Sequence, residues 1–181
     1  MKKAILIHGW DSNPEKDFYP WLKEKLKKEG IELEIPRMSE SETPKIKGWV
    51  DYMKTLDINS ETLLIGHSIG CQTIIRYLEN TGKEISKAVF IAGWFTLIGL
   101  ETEEEKQIAK PWLETKIDFK KVKIKKSIAL FSDNDPYVTL ENLELFEKNL
   151  NSEIVIEENR GHFTEKEEPA VLREIVRLIK K

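Results

Sequence analysis

The sequence feature that most constrains the fold is a short apolar run that ends in a glycine–serine–glycine turn. Residues 62–65 read Thr-Leu-Leu-Ile, residues 66–70 read Gly-His-Ser-Ile-Gly, and an amphipathic stretch follows up to residue 79. This order predicts a buried strand, a sharp turn and a helix that packs back on the strand. Glycine suits both ends of the turn, because a Cβ atom there would crowd the crossing of helix and strand. Such a unit belongs in a parallel sheet, whose strands are connected through helices.

The rest of the chain repeats this alternation of short apolar runs and longer amphipathic segments. Strands are predicted at residues 4–8, 31–35, 62–65, 88–92, 127–131 and 153–156. Helices are predicted at residues 18–29, 44–56, 68–79, 140–150 and 165–180. Several strand candidates are continuously apolar, which is typical of strands buried on both faces. The pattern predicts an α/β fold with a doubly wound, mainly parallel sheet.

One long segment, residues 93–126, interrupts the alternation. It contains a possible helix at residues 103–109, followed by Pro111 and Trp112. A long connection between two strands is the usual place for a lid or a pocket wall. Its charged composition predicts a surface segment rather than a separate domain. The length of 181 residues fits one domain that spans residues 1–181.

The charge balance disfavours nucleic acid as a partner. Charged residues make up 34% of the chain, but the formal net charge is only −3, whereas a nucleic-acid binder usually carries a basic excess. The lysine-rich stretch at residues 116–126 is interpreted as a solvated flank of a helix or strand.

Cysteine usage and hydropathy indicate a compartment. A single cysteine, Cys71, excludes an intramolecular disulfide and favours a reducing environment. The apolar stretch at residues 4–7 is far shorter than the core of a signal peptide. The longest apolar run, residues 88–100, is too short to span a bilayer. We therefore expect a cytoplasmic protein with no membrane partner.

The serine in the glycine turn predicts a nucleophile, Ser68, whose hydroxyl stands clear of the sheet. A serine hydroxyl needs a base within hydrogen-bond reach, and the chain has three histidines, His8, His67 and His162. His162 lies in a loop between the last strand and the last helix, where such a base belongs. His67 adjoins Ser68 but leaves the turn in another direction, and His8 suits packing or the shaping of a neighbouring loop. The alternative is an incidental serine in a tight turn and a lone surface histidine.

An acid that orients the base is expected in the loop after the penultimate strand. Two aspartates are available there, and we favour Asp135, which precedes Pro136 and leads into the next helix. Asp133 remains the alternative, although it could instead fix the turn by binding loop amides. Two backbone amides, those of Ile69 and Trp10, are predicted to bind the oxyanion.

Four motifs together resemble the small serine hydrolases that include a retinoblastoma-binding protein and its bacterial relatives. They lie at residues 7–10, 66–70, 132–138 and 160–163, and a Pro-Trp pair at residues 111–112 is also similar. The resemblance covers nearly the whole chain and includes the lack of a large cap domain. It implies six parallel strands in the order 2-1-3-4-5-6 and an esterase-like hydrolase. It also implies a catalytic triad of Ser68, Asp135 and His162.

The chain departs from this family at residues 56–61, which read Leu-Asp-Ile-Asn-Ser-Glu. Binding to the retinoblastoma protein is ascribed in that family to a Leu-x-Cys-x-Glu motif, which is missing here. We therefore do not expect a partner of the retinoblastoma type.

Aromatic residues lie on the segments that should leave the carboxyl edge of the sheet, where open α/β folds bind ligands. Trp94, Phe95, Trp112 and Tyr137 are predicted to form an apolar substrate pocket, and ordinary loop packing is the alternative. Cys71 is interpreted as a small buried residue rather than a second nucleophile.

The functional hypothesis is a serine hydrolase that cleaves small or medium acyl esters through an acyl-enzyme, with a small-molecule ester as its partner. An amidase or peptidase with the same triad is one alternative, and a non-catalytic protein-binding module on the same fold is another. No metal is predicted, because no His, Cys or acidic cluster has ligand spacing. No other cofactor is predicted, since no glycine-rich phosphate loop is present.

Overall fold

A computed structural model describes residues 2–180, and its centre is a single six-stranded parallel sheet. The order of the strands is β2-β1-β3-β4-β5-β6, and every neighbouring pair is parallel. This confirms the sheet order that the family resemblance implies. The strands are β1 (Lys2–Ile7), β2 (Ile31–Glu34), β3 (Leu63–His67), β4 (Glu84–Ile91), β5 (Lys123–Ser132) and β6 (Glu153–Glu157).

Helices cover both faces of the sheet, as a doubly wound fold requires. Helices α1 and α6 pack on one face, while α2, α3 and α5 pack on the other. Within residues 2–180, no helix has the length and apolar character needed to cross a membrane. The helices are α1 (Tyr19–Lys28), α2 (Ile46–Thr55), α3 (Ile69–Thr81), α4 (Glu103–Glu114), α5 (Glu141–Leu150) and α6 (Pro169–Lys180), and Phe119–Lys121 forms a short 3₁₀ turn.

The buried strands explain the continuously apolar runs in the sequence. In β1, Ala4 and Leu6 pack under α1 and α6, whereas Ile5 and Ile7 pack under α3, and all four are fully buried. Each large apolar side chain buried in this way stabilises the fold by about 1.5–3 kcal/mol relative to an exposed one. The sheet is therefore a rigid base for the loops that leave its carboxyl edge.

The interrupting segment, residues 93–126, lies mostly on the surface, but its helix is longer than predicted. Helix α4 does not end before Pro111 but continues to residue 114, and its Ala109 and Trp112 are buried. Arg76 of α3 donates hydrogen bonds to the carbonyls of Trp112 (2.9 Å) and Thr115 (2.8 Å), which satisfies the end of the helix. The segment therefore lies on the surface, as predicted, with the inner face of α4 held against α3.

Candidate active site

Loops from the carboxyl ends of five strands converge on one cavity of about 510 Å³. Trp10 follows β1, Ser68 follows β3, Trp94 follows β4, Tyr137 follows β5 and His162 follows β6, and all five line the cavity. Residues far apart in the chain therefore meet at the edge of the sheet where parallel α/β proteins bind ligands.

The turn between β3 and α3 places Ser68 at the base of this cavity. Ser68 has φ 53° and ψ −122°, a conformation that is rare outside glycine and costs about 1–3 kcal/mol. A Cβ atom on Gly70 would lie 2.1 Å from the carbonyl oxygen of Ile7, and one on Gly66 would lie 2.7 Å from the amide nitrogen of Cys71. The predicted need for glycine at both positions is confirmed, because the helix crosses β1 and β3 at backbone contact.

Asp135 and His162 form a hydrogen-bonded carboxylate–imidazole pair near the serine. The Nδ1–H of His162 donates to Oδ2 of Asp135 at 2.8 Å, and the aspartate side chain is only 1% exposed. The other carboxylate oxygen accepts the amides of Tyr137 (2.9 Å) and Val138 (3.1 Å). These amides prevent the carboxylate from turning, so the imidazole keeps its proton on Nδ1 and presents the lone pair of Nε2.

Asp133 occupies a different position from Asp135. Its Oδ1 accepts the amide of Asn159 at 2.8 Å, as its alternative role in loop fixing requires. The side chains of Ser132 and Asn134 accept the next two amides, those of Arg160 (2.9 Å) and Gly161 (2.8 Å). Three consecutive side chains thus bind three consecutive amides that precede His162. Sequence reasoning missed Ser132 and Asn134. The only indication of their role in the sequence is that they lie in the same loop as Asp135.

The hydroxyl of Ser68 contacts Trp94 in this structure. The indole Nε1–H of Trp94 donates to Oγ of Ser68 at 3.3 Å, and the tryptophan is 1% exposed. In the described part of the chain, no hydrogen bond joins Ser68 and His162. Contacts between a nucleophile and its base are often long or misaligned before a substrate binds.

Two backbone amides remain available beside the serine. Ile69 is the first residue of α3, so its amide precedes the hydrogen bonds of the helix itself. Among residues 2–180, the amide of Trp10 has no acceptor either. Its loop is held on both sides, since its indole Nε1–H donates to the Glu42 carbonyl at 2.8 Å and the Asp11 amide donates to the Ser41 carbonyl at 2.7 Å.

Buried His8 shapes the same loop. Its Nε2 accepts the amide of Met38 at 3.1 Å, which leaves the proton on Nδ1, and this group donates to the carbonyl of Gly9 at 2.9 Å. Burial is the main cause that lowers the pKa of His8, so the ring stays neutral near pH 7. A neutral histidine with both nitrogens engaged acts as a brace for the loop rather than as a base.

The four aromatic residues predicted to form a substrate pocket do not line one cavity. Trp94 and Tyr137 line the cavity, but Phe95 and Trp112 do not. Phe95 packs on Phe146, with 4.8 Å between ring centroids. Trp112 faces inward from α4. Both line a separate cavity of about 150 Å³ near α3.

Aliphatic and acidic side chains complete the wall of the main cavity, and sequence reasoning missed them. The aliphatic ones are Leu97, Leu100 and Ile108. None of the described residues that line the cavity is Lys or Arg. The acidic ones are Asp11, Glu42, Glu104 and Glu105.

Cys71, one turn into α3, is fully buried, and its thiol lies 3.5 Å from the carbonyl oxygen of Ile91. Burial raises the pKa of this thiol, so the reactive thiolate is disfavoured.

In the described residues, no group of three His, Cys, Asp or Glu side chains could hold a metal ion.

Solved structures share this fold over the full length of the chain. The crystal structure of the ydeN gene product of Bacillus subtilis has a TM-score of 0.89 at 20% identity and covers 100% of both chains. Est1E from Butyrivibrio proteoclasticus, solved with ferulic acid bound, has a TM-score of 0.78 at 17% identity and covers 100% of this chain and 90% of its own. At these identities the likeness concerns the fold alone.

Sequence relatives point to one family. YdeN of Bacillus subtilis, named as a hydrolase, is 31% identical over 99 residues, which are 51% of this chain and only 51% of YdeN. Serine hydrolase RBBP9 of Rattus norvegicus is 24% identical over 179 residues, 97% of this chain and 87% of its own. The sequence profile described as "Serine hydrolase" matches residues 4–181. Since that match extends over nearly the whole sequence, the chain belongs to the serine hydrolase family.

Proposed function

We propose that this hydrolase is a carboxylesterase-like enzyme that cleaves small or medium acyl esters through an acyl-enzyme. The observation that carries the proposal is the hydrogen bond between the buried carboxylate of Asp135 and His162, whose side chain lines the same cavity as Ser68 on its strained turn. A serine on a sharp strand-to-helix turn is the nucleophile elbow of α/β-hydrolases, and an oriented imidazole is the base that it needs.

In the proposed mechanism, Oγ of Ser68 attacks the ester carbonyl and passes its proton to Nε2 of His162. Asp135 stabilises the imidazolium that forms. The amides of Ile69 and Trp10 bind the oxyanion, helped by the dipole of α3. His162 then protonates the leaving alcohol, and an acyl-enzyme remains. Water, activated by the same imidazole, attacks this ester and releases the carboxylic acid and free Ser68.

Trp94 takes part in the proposed resting state. Its indole N–H donates to the serine oxygen, with 3.3 Å between the two atoms, and so competes with the base for this oxygen. We infer that a bound ester displaces this contact as the hydroxyl turns toward His162. The indole would then form one wall of the acyl site, with its N–H beside the former position of the serine oxygen.

The size of the cavity favours small or medium acyl groups. A volume of about 510 Å³ lies in the lower half of the range for ligand sites. The aliphatic wall of Leu97, Leu100 and Ile108 offers no hydrogen bonds, so it suits a short hydrocarbon chain. We therefore expect turnover to be highest for short chains and to fall when the acyl chain exceeds the length of the cavity.

The charge of the wall favours uncharged substrates over anionic ones. Four carboxylates line the cavity, and no cationic side chain lines it among the described residues. Neither Glu42 nor Glu104 forms an ion pair with a described residue, so their negative charge is not neutralised by the protein. An acyl group with a second carboxylate would be repelled at the entrance.

The test combines active-site labelling with turnover. We expect a fluorescent fluorophosphonate to label the native chain and short p-nitrophenyl esters to be hydrolysed. In Ser68→Ala, labelling should vanish and turnover should fall on the order of a thousandfold or more, because the nucleophile is lost. Ser86→Ala, which changes a serine on β4 that binds Glu61, is the matched control and should leave both readouts unchanged.

Two results would contradict the proposal. One is a folded native chain that neither reacts with the fluorophosphonate nor hydrolyses any ester. The other is labelling that survives in Ser68→Ala. Anilides of the same acyl groups, assayed in parallel, distinguish an esterase from an amidase, because only the leaving group differs. Higher kcat/KM for the anilides would overturn the ester preference.

A further inference from the structure

A buried chain of hydrogen bonds passes beneath the site and is not used in the mechanism above. The amide of Gly9 donates to the hydroxyl of Tyr19 at 3.2 Å, and that hydroxyl lies 2.6 Å from Nδ1 of His67. Nε2 of His67 lies 2.8 Å from the carbonyl oxygen of His162. Tyr19 is 0% exposed and His67 is 2% exposed, so water does not compete for these bonds.

The chemistry of the groups determines the direction of every bond. A carbonyl oxygen only accepts, so Nε2 of His67 carries the proton that it donates to His162. Nδ1 of His67 is then an acceptor, and the hydroxyl of Tyr19 must donate to it. The oxygen of Tyr19 in turn accepts the amide of Gly9. One arrangement of protons therefore satisfies all the groups, and reversing any bond would leave a buried polar group unpaired.

The charge state of His67 is compatible with this arrangement. Burial is the largest cause that lowers the pKa of His67 to about 3, and the charge on His162 acts in the same direction. Burial also raises the pKa of the Tyr19 hydroxyl. Near neutral pH the pair is thus uncharged, although the rings of His67 and His162 are only 5.4 Å apart. No second positive charge then opposes the protonated base.

We propose that His67 and Tyr19 are positioning residues that hold the base and the oxyanion loop at fixed places around Ser68. The backbone of His67 leads directly into Ser68, its Nε2–H holds the carbonyl of His162, and through Tyr19 it holds Gly9, which precedes the predicted oxyanion amide. This inference rests on the proposed function, which assigns the roles of nucleophile, base and oxyanion loop.

These hydrogen bonds would contribute to catalysis by fixing the positions of the reacting groups. A misplacement of about 1 Å in a reacting group can cost on the order of a hundredfold in rate. Neither His67 nor Tyr19 lines the cavity, so their loss should lower kcat and leave KM nearly unchanged. A residue that only supports the core would not produce this separation.

The first experiment compares two buried tyrosines. Tyr19→Phe removes the hydroxyl that links Gly9 to His67, whereas Tyr77→Phe removes a buried hydroxyl with no hydrogen-bond partner in the described residues. We expect kcat for p-nitrophenyl acetate to fall about 10- to 100-fold in Tyr19→Phe, with KM within about twofold. Tyr77→Phe should match the native chain. Equal kcat in the two variants, or a loss confined to KM, would overturn the proposal.

The second experiment tests rescue at His67. His67→Gln can place an N–H donor near the position of Nε2, while His67→Leu removes the donor from a side chain of similar size. We expect kcat of His67→Gln to be at least tenfold higher than kcat of His67→Leu, with both variants folded by circular dichroism. Equal kcat in the two variants would count against the hydrogen bond to His162 as the cause.

A spectroscopic readout separates this inference from the proposed function. Long-range ¹H–¹⁵N spectra of the native chain should show His67 protonated on Nε2 alone from pH 8 down to pH 5, because its pKa of about 3 lies below that range. A proton on Nδ1, or titration within the range, would overturn the hydrogen-bond chain even in an inactive protein. If instead the spectra agree but no ester is hydrolysed, the proposed function fails and the positioning role fails with it.

Discussion

The two sides of the candidate site are built in different ways. The loops of Asp135 and His162 are joined by hydrogen bonds between side chains and backbone at almost every residue, including the three amides that residues 132–134 accept. The opposite wall, formed by the segment after Trp94, presents the aliphatic side chains of Leu97, Leu100 and Ile108 to the cavity. One of its polar anchors is Asn142 of α5, which accepts the amides of Phe95 (2.7 Å) and Thr96 (3.1 Å).

This difference teaches how rigidity is distributed. Directional hydrogen bonds allow one geometry, which acid–base chemistry needs, whereas aliphatic packing allows a range of shapes at modest cost. We therefore expect substitutions on the acid–base side to change kcat, and substitutions on the aliphatic wall to change which acyl group is accepted.

The largest expected effect distinguishes two neighbouring aspartates. Asp135→Asn should lower kcat on the order of 10³- to 10⁴-fold, because the amide no longer stabilises the imidazolium or enforces the tautomer. Asp133→Asn keeps an oxygen that can accept the Asn159 amide and should cost less than about tenfold. Steady-state kinetics with p-nitrophenyl acetate measures both. If Asp133→Asn proved the more damaging variant, the two aspartates would have to exchange roles.

A substitution on the aliphatic wall should have a smaller and different effect. Asn142→Ala removes the shared acceptor of the partly buried amides of Phe95 and Thr96, so the free energy of unfolding should fall by about 1–3 kcal/mol, measured in urea. The wall would also loosen, and the preference among acetate, butyrate and octanoate esters should broaden while kcat for acetate stays within about threefold. Asn80→Ala, an exposed asparagine on α3, is the control. A large loss of kcat with no change in chain-length preference would break the distinction between the two sides.

The smallest expected effect concerns charge at the entrance. Glu104→Gln should raise kcat/KM for an ester with a carboxylate at the end of its acyl chain about two- to fivefold relative to the neutral ester, because one repulsive charge is removed. The ratio should approach that of the native chain as salt rises to 0.5 M. Kinetics at two salt concentrations measures it. An unchanged ratio at low salt would mean that these carboxylates do not determine the substrate preference.

Sequence reasoning succeeded where the signal was local. The turn at Ser68 could be predicted because the strand, both glycines and the helix lie within some twenty residues. The contact between Asp135 and His162 was favoured from the order of elements, but Asp133 stayed open, since both aspartates share one loop. The helix in the interrupting segment was predicted to end at residue 109, before Pro111, yet α4 continues to residue 114, where Arg76 binds the Trp112 carbonyl in a contact that no local pattern reveals.

The remaining features depend on distance in the chain or on direction. Tyr19 and His67 are 48 residues apart, so nothing in either segment indicates that they meet. Trp94 and Phe95 are adjacent and equally aromatic, but Trp94 lines the cavity whereas Phe95 packs on Phe146. Composition does not tell which of two neighbouring aromatic residues faces the cavity.

The most direct test of the central claim is a crystal structure of the chain after reaction with a fluorophosphonate. We expect the phosphorus atom to be bonded to Oγ of Ser68, with the phosphonyl oxygen within 3.2 Å of the amides of Ile69 and Trp10, in the range of a normal hydrogen bond. Nε2 of His162 should face the serine oxygen. Phosphorus bonded to another residue, or a phosphonyl oxygen that faces away from both amides, would contradict the proposed mechanism.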